Sequence, residues 1–196
     1  NMAQLSGVVQ LLGFLPMLLF IPFITKIVNK HGKKEASAAG TLVSLAGSAV
    51  LLAFPLMPNT TAALAVYLLG LVIFGLGLGI YTCVSWALIA DAIDYHEWKF
   101  GTREEGTVYA LHSFFRKLAQ AAGPIIILWL MGVLGYVSRL GIMGQTDTTK
   151  HNICWLVAGL YCLSAVLQFI GIALVYNIDR KSLEQMRQEL DRRKKR

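Results

Sequence analysis

The sequence predicts an all-α membrane protein with five transmembrane helices, and two observations support this class. Of its 196 residues, 56% are hydrophobic and 15% are charged, whereas soluble domains carry about a quarter charged residues. The charges are concentrated between long apolar runs and after Tyr176. The net charge of +7 therefore indicates membrane orientation. It does not indicate nucleic-acid binding, because no basic surface with interleaved aromatic residues is present.

The five predicted spans cover residues 5–25, 36–56, 62–90, 107–134 and 153–176. A hydrocarbon core of about 30 Å needs about 20 helical residues. The third span is longer than this, so it should tilt or project past the membrane at its Asp91 end. Its glycines Gly75 and Gly79 lie four residues apart, a spacing that favours close helix contact. A phosphate-binding loop is disfavoured because no strand precedes these glycines and no Lys-Ser/Thr pair follows.

The distribution of Lys and Arg predicts the orientation of the chain. Nearly all Lys and Arg residues outside the spans lie in three segments: the basic turn after the first span, with Lys26, Lys30, Lys33 and Lys34, the loop after the third span, and the segment after the fifth. The turn after the second span has none, and the loop after the fourth has two. By the positive-inside rule, the chain starts outside and ends in the cytoplasm. We expect residues 1–178 to form the membrane bundle and residues 179–196 a basic cytoplasmic tail. A solvated tail is favoured over a helix that lies on the anionic inner leaflet.

The connection between the third and fourth spans holds the densest group of acids. Asp91 and Asp94 are three residues apart and share one helix face. With Glu97 they could bind a divalent cation, as in an intramembrane metal-dependent lipid enzyme. The pattern favours the alternative, in which these acids pair with Arg103, Lys99 or the basic turn at a cytoplasmic gate.

The fourth span carries two cations inside an apolar run. Its polar residues recur at steps of three and four and therefore share a helix face; they are Tyr109, Ser113, Arg116, Lys117 and Gln120, with His112 beside them. Lys117 lies roughly 15 Å into the span. A Lys or Arg at the centre of a membrane helix costs at least about 2.5–3.5 kcal/mol, so these cations need a partner. The partner would be a substrate, a carboxylate from helices outside this sequence, or Asp91 or Asp94 across a closed gate. Snorkelling of both cations to the interface stays open as an alternative.

One long motif runs through this charged region. It reads Asp91-x-x-Asp94-Tyr95-x-Glu97-x-x-x-Gly101-x-Arg103-x-Glu105-Gly106, followed by Ser113-x-x-Arg116-Lys117. The motif resembles the glycoside–pentoside–hexuronide cation symporters, the melibiose-permease-like members of the major facilitator superfamily. The resemblance implies a twelve-helix fold of two bundles that works by alternating access. The five spans would correspond to helices eight to twelve, so the bundle would be incomplete, and the seven preceding helices would lie outside this sequence.

The same resemblance implies roles for individual residues. Lys117 matches a lysine in the sugar and cation pathway, Ser113 a sugar-contacting threonine, and Arg103 a loop arginine implicated in conformational change. Thr82 stands where melibiose permease has a binding-site tryptophan, so that stacking surface is missing. Arg116 beside Lys117 resembles the glucuronide and pentoside branches. The predicted substrate-binding residues are Thr82, Trp86, His112, Ser113, Arg116, Lys117 and Gln120, and the predicted gating residues are Asp91, Asp94, Tyr95, Glu97, Arg103 and Glu105.

The implied function is secondary active transport of a glycoside, pentoside or hexuronide in a bacterial inner membrane, coupled to sodium or protons. No catalytic activity, cofactor or metal site is expected. The coupling cation would be bound mainly by the absent amino-terminal half, to which the cation-binding acids of the family belong. The expected partners are the sugar, the lipid bilayer and the missing helices, and no nucleic acid. The alternatives are a lysolipid carrier of the same superfamily, the metal-dependent lipid enzyme and a non-transporting membrane scaffold.

Overall fold

The computed structural model describes residues 7, 11, 22–24, 26–58, 60–141, 143–178 and 180–194. Within these residues, five α-helices have both ends described: α1 (Lys33–Ala53), α2 (Thr61–Phe100), α3 (Glu105–Val133), α4 (Asp147–Ile170) and α5 (Arg180–Lys194). A π-helical turn, Gly171–Val175, extends α4. Residues 22–24 and 26–31 are also helical. The predicted first span, 5–25, lies mostly outside the described residues.

Four of the described helices are long and apolar enough to cross a membrane. These segments are Lys33–Leu56, Thr61–Phe100, Glu105–Val133 and Asp147–Val175. They coincide with the second to fifth predicted spans, which confirms an all-helical membrane protein. Hydropathy locates such spans because an apolar segment of this length gains free energy wherever it meets lipid.

The third predicted span continues well beyond Ala90. α2 has 40 residues, which corresponds to about 60 Å, twice the hydrocarbon thickness. Asp91–Phe100 is therefore helix, in keeping with the expected extension at the Asp91 end, and the loop expected after the third span begins only at Gly101. The segment has no Gly or Pro to stop it until Gly101, whose φ of 77° forms the left-handed cap that glycine adopts readily.

α1 and α2 approach each other closely through small residues. A Cβ atom added at Gly77 would overlap the backbone nitrogen of Ser44 and the carbonyl oxygen of Gly40. Gly75 and Gly79, whose spacing predicts close helix contact, are also buried, but the close approaches to α1 are made by Gly70 and Gly77. Contact this close maximises van der Waals packing between helices in lipid, where the hydrophobic effect does not drive association.

α3 lies at the side of the unit that the other helices form. None of its 29 residues is buried, although its sequence is apolar enough for a membrane span. By contrast, α1, α2 and α4 share a core cluster of Leu51, Leu71 and Ala158. The polar face of α3 is therefore open in this chain.

The loop between α3 and α4 is organised by one side chain. Gln145 is 6% exposed. Its amide nitrogen donates to the carbonyl oxygens of Val137 at 2.8 Å and Gly141 at 2.7 Å, and its oxygen accepts from the N–H of Val137 at 3.0 Å. These bonds satisfy backbone groups that a loop otherwise leaves to water.

The tail is a helix that packs on the protein. α5 contacts α2, and its residues Met186 and Leu190 are 1% and 6% exposed. The expectation of a solvated tail is therefore wrong. The reason is that α2 projects beyond the membrane and offers a protein surface on which the apolar stripe of α5 can be buried.

Candidate functional site

A buried ion pair connects α1 with the projecting part of α2. The Asp91 side chain is 1% exposed, and both of its oxygens lie 2.7 Å from Lys33 Nζ. Arg187 Nη2 of α5 lies 3.4 Å from Asp91 Oδ1. A buried carboxylate requires such partners because its desolvation is costly. The predicted pairing of this acid with the basic turn is confirmed.

A second cluster surrounds Arg103, in the short connection between α2 and α3. Arg103 Nη1 lies 2.6 Å from Glu97 and 3.1 Å from Asp94, and its Nε lies 2.6 Å from Glu105. The hydrogen bond that Arg103 donates to Glu97, and then the one that it donates to Glu105, raise the pKa of Arg103 further above its usual high value. Arg103 therefore stays charged and joins the end of α2 to the start of α3. The predicted ion pairing of these three acids is confirmed.

The remaining predicted gating residue, Tyr95, belongs to an aromatic group on the same part of α2. Its ring lies 5.8 Å from that of Trp98, and the Lys99 ammonium lies 5.7 Å from the ring centroids of Tyr95 and Phe100. Lys99 follows Tyr95 by one helical turn, so the two share a face. Lys99 therefore contacts aromatic rings and is not the cation that holds the acids.

The carboxylates of the metal hypothesis are divided between two separate cations. Asp91 binds Lys33, whereas Asp94 and Glu97 bind Arg103. In the part of the chain that the structure describes, no group of three or more His, Cys, Asp or Glu side chains could hold a metal ion. The observed partners of these acids are side chains of the protein itself.

Three of the predicted substrate-binding residues meet between α2 and α3. The ring of Trp86 lies 5.6 Å from that of His112 in an edge-on arrangement. The guanidinium carbon of Arg116 lies 5.3 Å from the centroid of the Trp86 ring, within the range of a cation–π interaction. Trp86 nevertheless keeps 48% of its surface exposed. We call these three residues the tryptophan cluster.

The other predicted substrate-binding residues do not join this cluster. Ser113, Lys117 and Gln120 are exposed on α3, and Thr82 is half-buried on α2, one turn from Trp86. Lys117 lies twelve residues after the first residue of α3, about 18 Å along the helix. Among the described residues it has no ion-pair partner.

A cavity of about 580 Å³ opens beside the tryptophan cluster, between α2, α3 and the π-helical turn. Its walls are mostly apolar, and polar groups come from Tyr81, Ser85, His112 and Tyr176. A volume of this size is within the range of small-molecule sites. Sequence reasoning missed Tyr81 and Ser85. Tyr81 and Ser85 are four residues apart and each precedes a predicted site residue, Thr82 or Trp86. This spacing places Tyr81 and Ser85 on one helix face and could have indicated that they line the same site.

Comparison with known proteins identifies relatives that are all longer than this chain. A glucuronide carrier protein homolog of Escherichia coli (strain K12) is 33% identical over 89% of the chain. Two uncharacterized symporters of Bacillus subtilis (strain 168), YnaJ and YjmB, are 31% and 30% identical, each over 94% of the chain. The chain spans only 36–39% of the length of these relatives.

A family model described as MFS/sugar transport protein, where MFS is the major facilitator superfamily, matches residues 2–180. The match includes all four described membrane helices, the Lys33–Asp91 pair and the Arg103 cluster, whereas Arg187 lies beyond it. Because it covers nearly the whole sequence, the chain belongs to the MFS/sugar transport protein family, in agreement with the melibiose-permease-like motif of its charged segment.

Proposed function

We propose that this chain is the carboxy-terminal part of a secondary active transporter that carries a glycoside, pentoside or hexuronide across a bacterial inner membrane. Family membership supports sugar transport, and the names of two relatives support symport. Transport is coupled to sodium or protons, and the coupling ion is bound mainly by helices that precede this chain. The carboxy terminus is cytoplasmic.

One observation carries this proposal: Trp86 of the tryptophan cluster and the acids Asp91, Asp94 and Glu97 of the ion pairs belong to the same continuous helix, α2. Trp86 and Asp91 are five residues apart on this helix, a rise of about 7.5 Å. A rigid helix transmits displacement over this distance. Substrate contact at Trp86 would therefore bias the ion pairs at Asp91, and opening of those pairs would move the wall of the binding site. Alternating access requires this kind of coupling between site and gate.

In this mechanism the side chains divide into two functions. Trp86 and His112 contact the sugar ring and its hydroxyls, and Lys117 balances charge in the pathway, with Ser113, Gln120 and Thr82 along its wall. Arg103 closes the cytoplasmic side through its carboxylates. Because these pairs are partly exposed, each contributes little to stability. They can therefore break and re-form during the transport cycle.

Among the three sugar classes, a hexuronide fits the cations best. Arg116 and Lys117 place two positive charges side by side on α3. Arginine binds carboxylates with two parallel hydrogen bonds. The relative from Escherichia coli is named for a glucuronide, a sugar derivative that carries a carboxylate. A glucuronide would draw Arg116 away from Trp86 and uncover the indole face for the sugar ring.

Uptake into membrane vesicles that contain the complete transporter tests this function. Wild-type vesicles should accumulate a labelled glucuronide when a sodium or proton gradient is imposed. Lys117→Ala should abolish this uptake at normal membrane levels of the protein, because charges in the pathway lose their compensation. Lys117→Arg should restore little activity, since the guanidinium is larger and planar.

Substrate class is tested by comparing the glucuronide with its neutral glucoside. Arg116→Ala should reduce glucuronide uptake strongly and glucoside uptake little, whereas the control Arg139→Ala, in the α3–α4 loop, should affect neither. Equal losses on both sugars would remove Arg116 from substrate recognition. Normal uptake by Lys117→Ala would contradict the proposed site, and wild-type uptake of a lysophospholipid without any sugar would contradict the proposed substrate class.

A further inference from the structure

The tail helix is attached to the projecting end of α2 by polar contacts at three points. Arg187 lies 3.4 Å from the buried Asp91. The indole N–H of Trp98 donates to Glu189, and Arg193 Nη1 donates to the carbonyl oxygen of Trp98 at 3.2 Å. These contacts span two turns of α2. They fix the position of α5 along that helix as well as its distance from it.

Two apolar residues of the same helix are buried beneath these contacts. Met186 is 1% exposed and Leu190 is 6% exposed. They lie four residues apart, so they occupy one face of α5, while Gln185 and Gln188 are exposed. Removal of this face from water supplies a driving force for docking that salt does not screen.

Three helices meet at the Asp91 carboxylate. Lys33 reaches it from α1 at 2.7 Å, and Arg187 reaches it from α5 at 3.4 Å. The shorter contact makes Lys33 the principal partner, and Arg187 the additional one. If α5 leaves, Asp91 keeps one cation, so undocking changes the electrostatics of the gate without leaving a buried charge unpaired.

We propose that α5 is a latch that docks on the last turns of α2 and holds the transporter with its cytoplasmic ion pairs formed. The docked tail and the Arg103 cluster coexist in the structure, on the same ten-residue end of α2. This inference rests on the proposed role of these ion pairs in cytoplasmic closure. A docked latch favours the closed state, and an undocked latch lowers the free energy needed to open it.

The latch is tested in the complete transporter with a single reporter cysteine, Ala92→Cys, in a background without other cysteines. Ala92 lines the cavity beside the tryptophan cluster. Its labelling by a maleimide in inside-out vesicles reports cytoplasmic opening without substrate. Met186→Asp places a charge in the buried face and should raise the labelling rate on the order of tenfold, which corresponds to about 1.4 kcal/mol.

A milder variant and a matched control accompany this measurement. Arg187→Ala should raise the labelling rate by about threefold, because Lys33 still compensates Asp91. Gln188→Asp adds the same charge as Met186→Asp, on the exposed face, and should leave the rate within about twofold of the parent, as surface charges contribute little. Separately, Trp98→Cys combined with Glu189→Cys should be joined in the membrane by a bifunctional thiol reagent long enough to replace the two side chains, which touch at their tips.

The outcomes distinguish the latch from the transport function. Unchanged labelling with Met186→Asp and Arg187→Ala, or equal increases with Met186→Asp and Gln188→Asp, would overturn the latch even if the wild type carries sugar. Failure of the bifunctional reagent to join the cysteines at positions 98 and 189 would overturn the docking itself. Increased labelling in a protein that takes up no sugar would support the latch and contradict the proposed transport function.

Discussion

The ion pair between Lys33 and Asp91 should respond differently to removal of each partner. The Asp91 side chain is 1% exposed, whereas that of Lys33 is 25% exposed. Lys33→Ala therefore leaves a negative charge inside the protein. Asp91→Asn leaves an ammonium on a flexible stem that can turn toward water. Removal of Lys33 should therefore lower the free energy of unfolding more than removal of the Asp91 charge.

The structure sets the magnitudes. Removing one partner of a buried pair costs about 3–5 kcal/mol, but Arg187 remains 3.4 Å from Asp91 and offsets part of this. We expect Lys33→Ala to destabilise the protein by about 2–4 kcal/mol. Asp91→Asn should cost about 1–2 kcal/mol, since the amide oxygen still accepts a hydrogen bond. The double variant should resemble Asp91→Asn alone, because no buried charge remains.

Thermal unfolding of the purified complete transporter in lipid nanodiscs measures this order. The midpoint temperature of unfolding should fall most for Lys33→Ala and less for Asp91→Asn. The double variant should show the same decrease as Asp91→Asn alone. Lys30→Ala, an exposed lysine just before the same turn, serves as the control and should leave the midpoint unchanged. Equal losses for the two single variants, or additive losses in the double variant, would refute the argument from burial.

Three further predictions follow from other contacts. In a counterflow assay, Arg103→Ala should slow substrate exchange while substrate affinity stays near that of the wild type, since the ion pairs of Arg103 act on the conformational equilibrium. The control is Lys99→Ala, because the Lys99 ammonium contacts only aromatic rings among the described residues. Gly77→Ala should lower the unfolding midpoint because its Cβ would overlap the backbone of α1, at a cost of about 1–3 kcal/mol. Gly159→Ala has open space and should raise the midpoint or leave it unchanged. Gln145→Ala should speed amide hydrogen exchange in the α3–α4 loop, because the backbone groups that it binds lose their partner.

Each of these predictions has a contradicting result. A change confined to affinity would move Arg103 from the gate to the binding site. An unchanged midpoint with Gly77→Ala would mean that α1 and α2 can separate without cost. Unchanged exchange with Gln145→Ala would show that the loop is ordered by other contacts.

The partners of Arg103 were accessible from the sequence, whereas the partner of Asp91 was not. Arg103 binds acids that are at most nine residues away, and a helix end followed by a short connection leaves such groups near each other. Lys33 and Asp91 are 58 residues apart. Several lysines of the basic turn were equivalent candidates, and only the close contact of α1 and α2 selects Lys33.

The contacts of the tail helix could likewise not be predicted from the sequence. An apolar stripe at Met186 and Leu190 can be read from its helical spacing, but this spacing is equally compatible with water, a membrane surface or protein. The sequence indicates that the third span extends toward Asp91, but it does not show how far the helix continues, and the turns up to Phe100 form the surface on which α5 docks. The apolar stripe of α5 and the surface of α2 on which it packs lie in different parts of the sequence, so the presence of one does not predict the other.

The membrane class, the approximate bounds of four spans, the charged motif and the family can all be read from the sequence, because hydropathy, helical spacing and local charge pairs depend on neighbouring residues. The contacts of Trp86 with His112 and Arg116, the sharing of Asp91 by Lys33 and Arg187, and the docking of the tail appear only in the folded chain. These contacts join residues far apart in the chain. Their geometry is set by how closely whole helices pack, in this case by small residues such as Gly77 that allow α1 and α2 to touch.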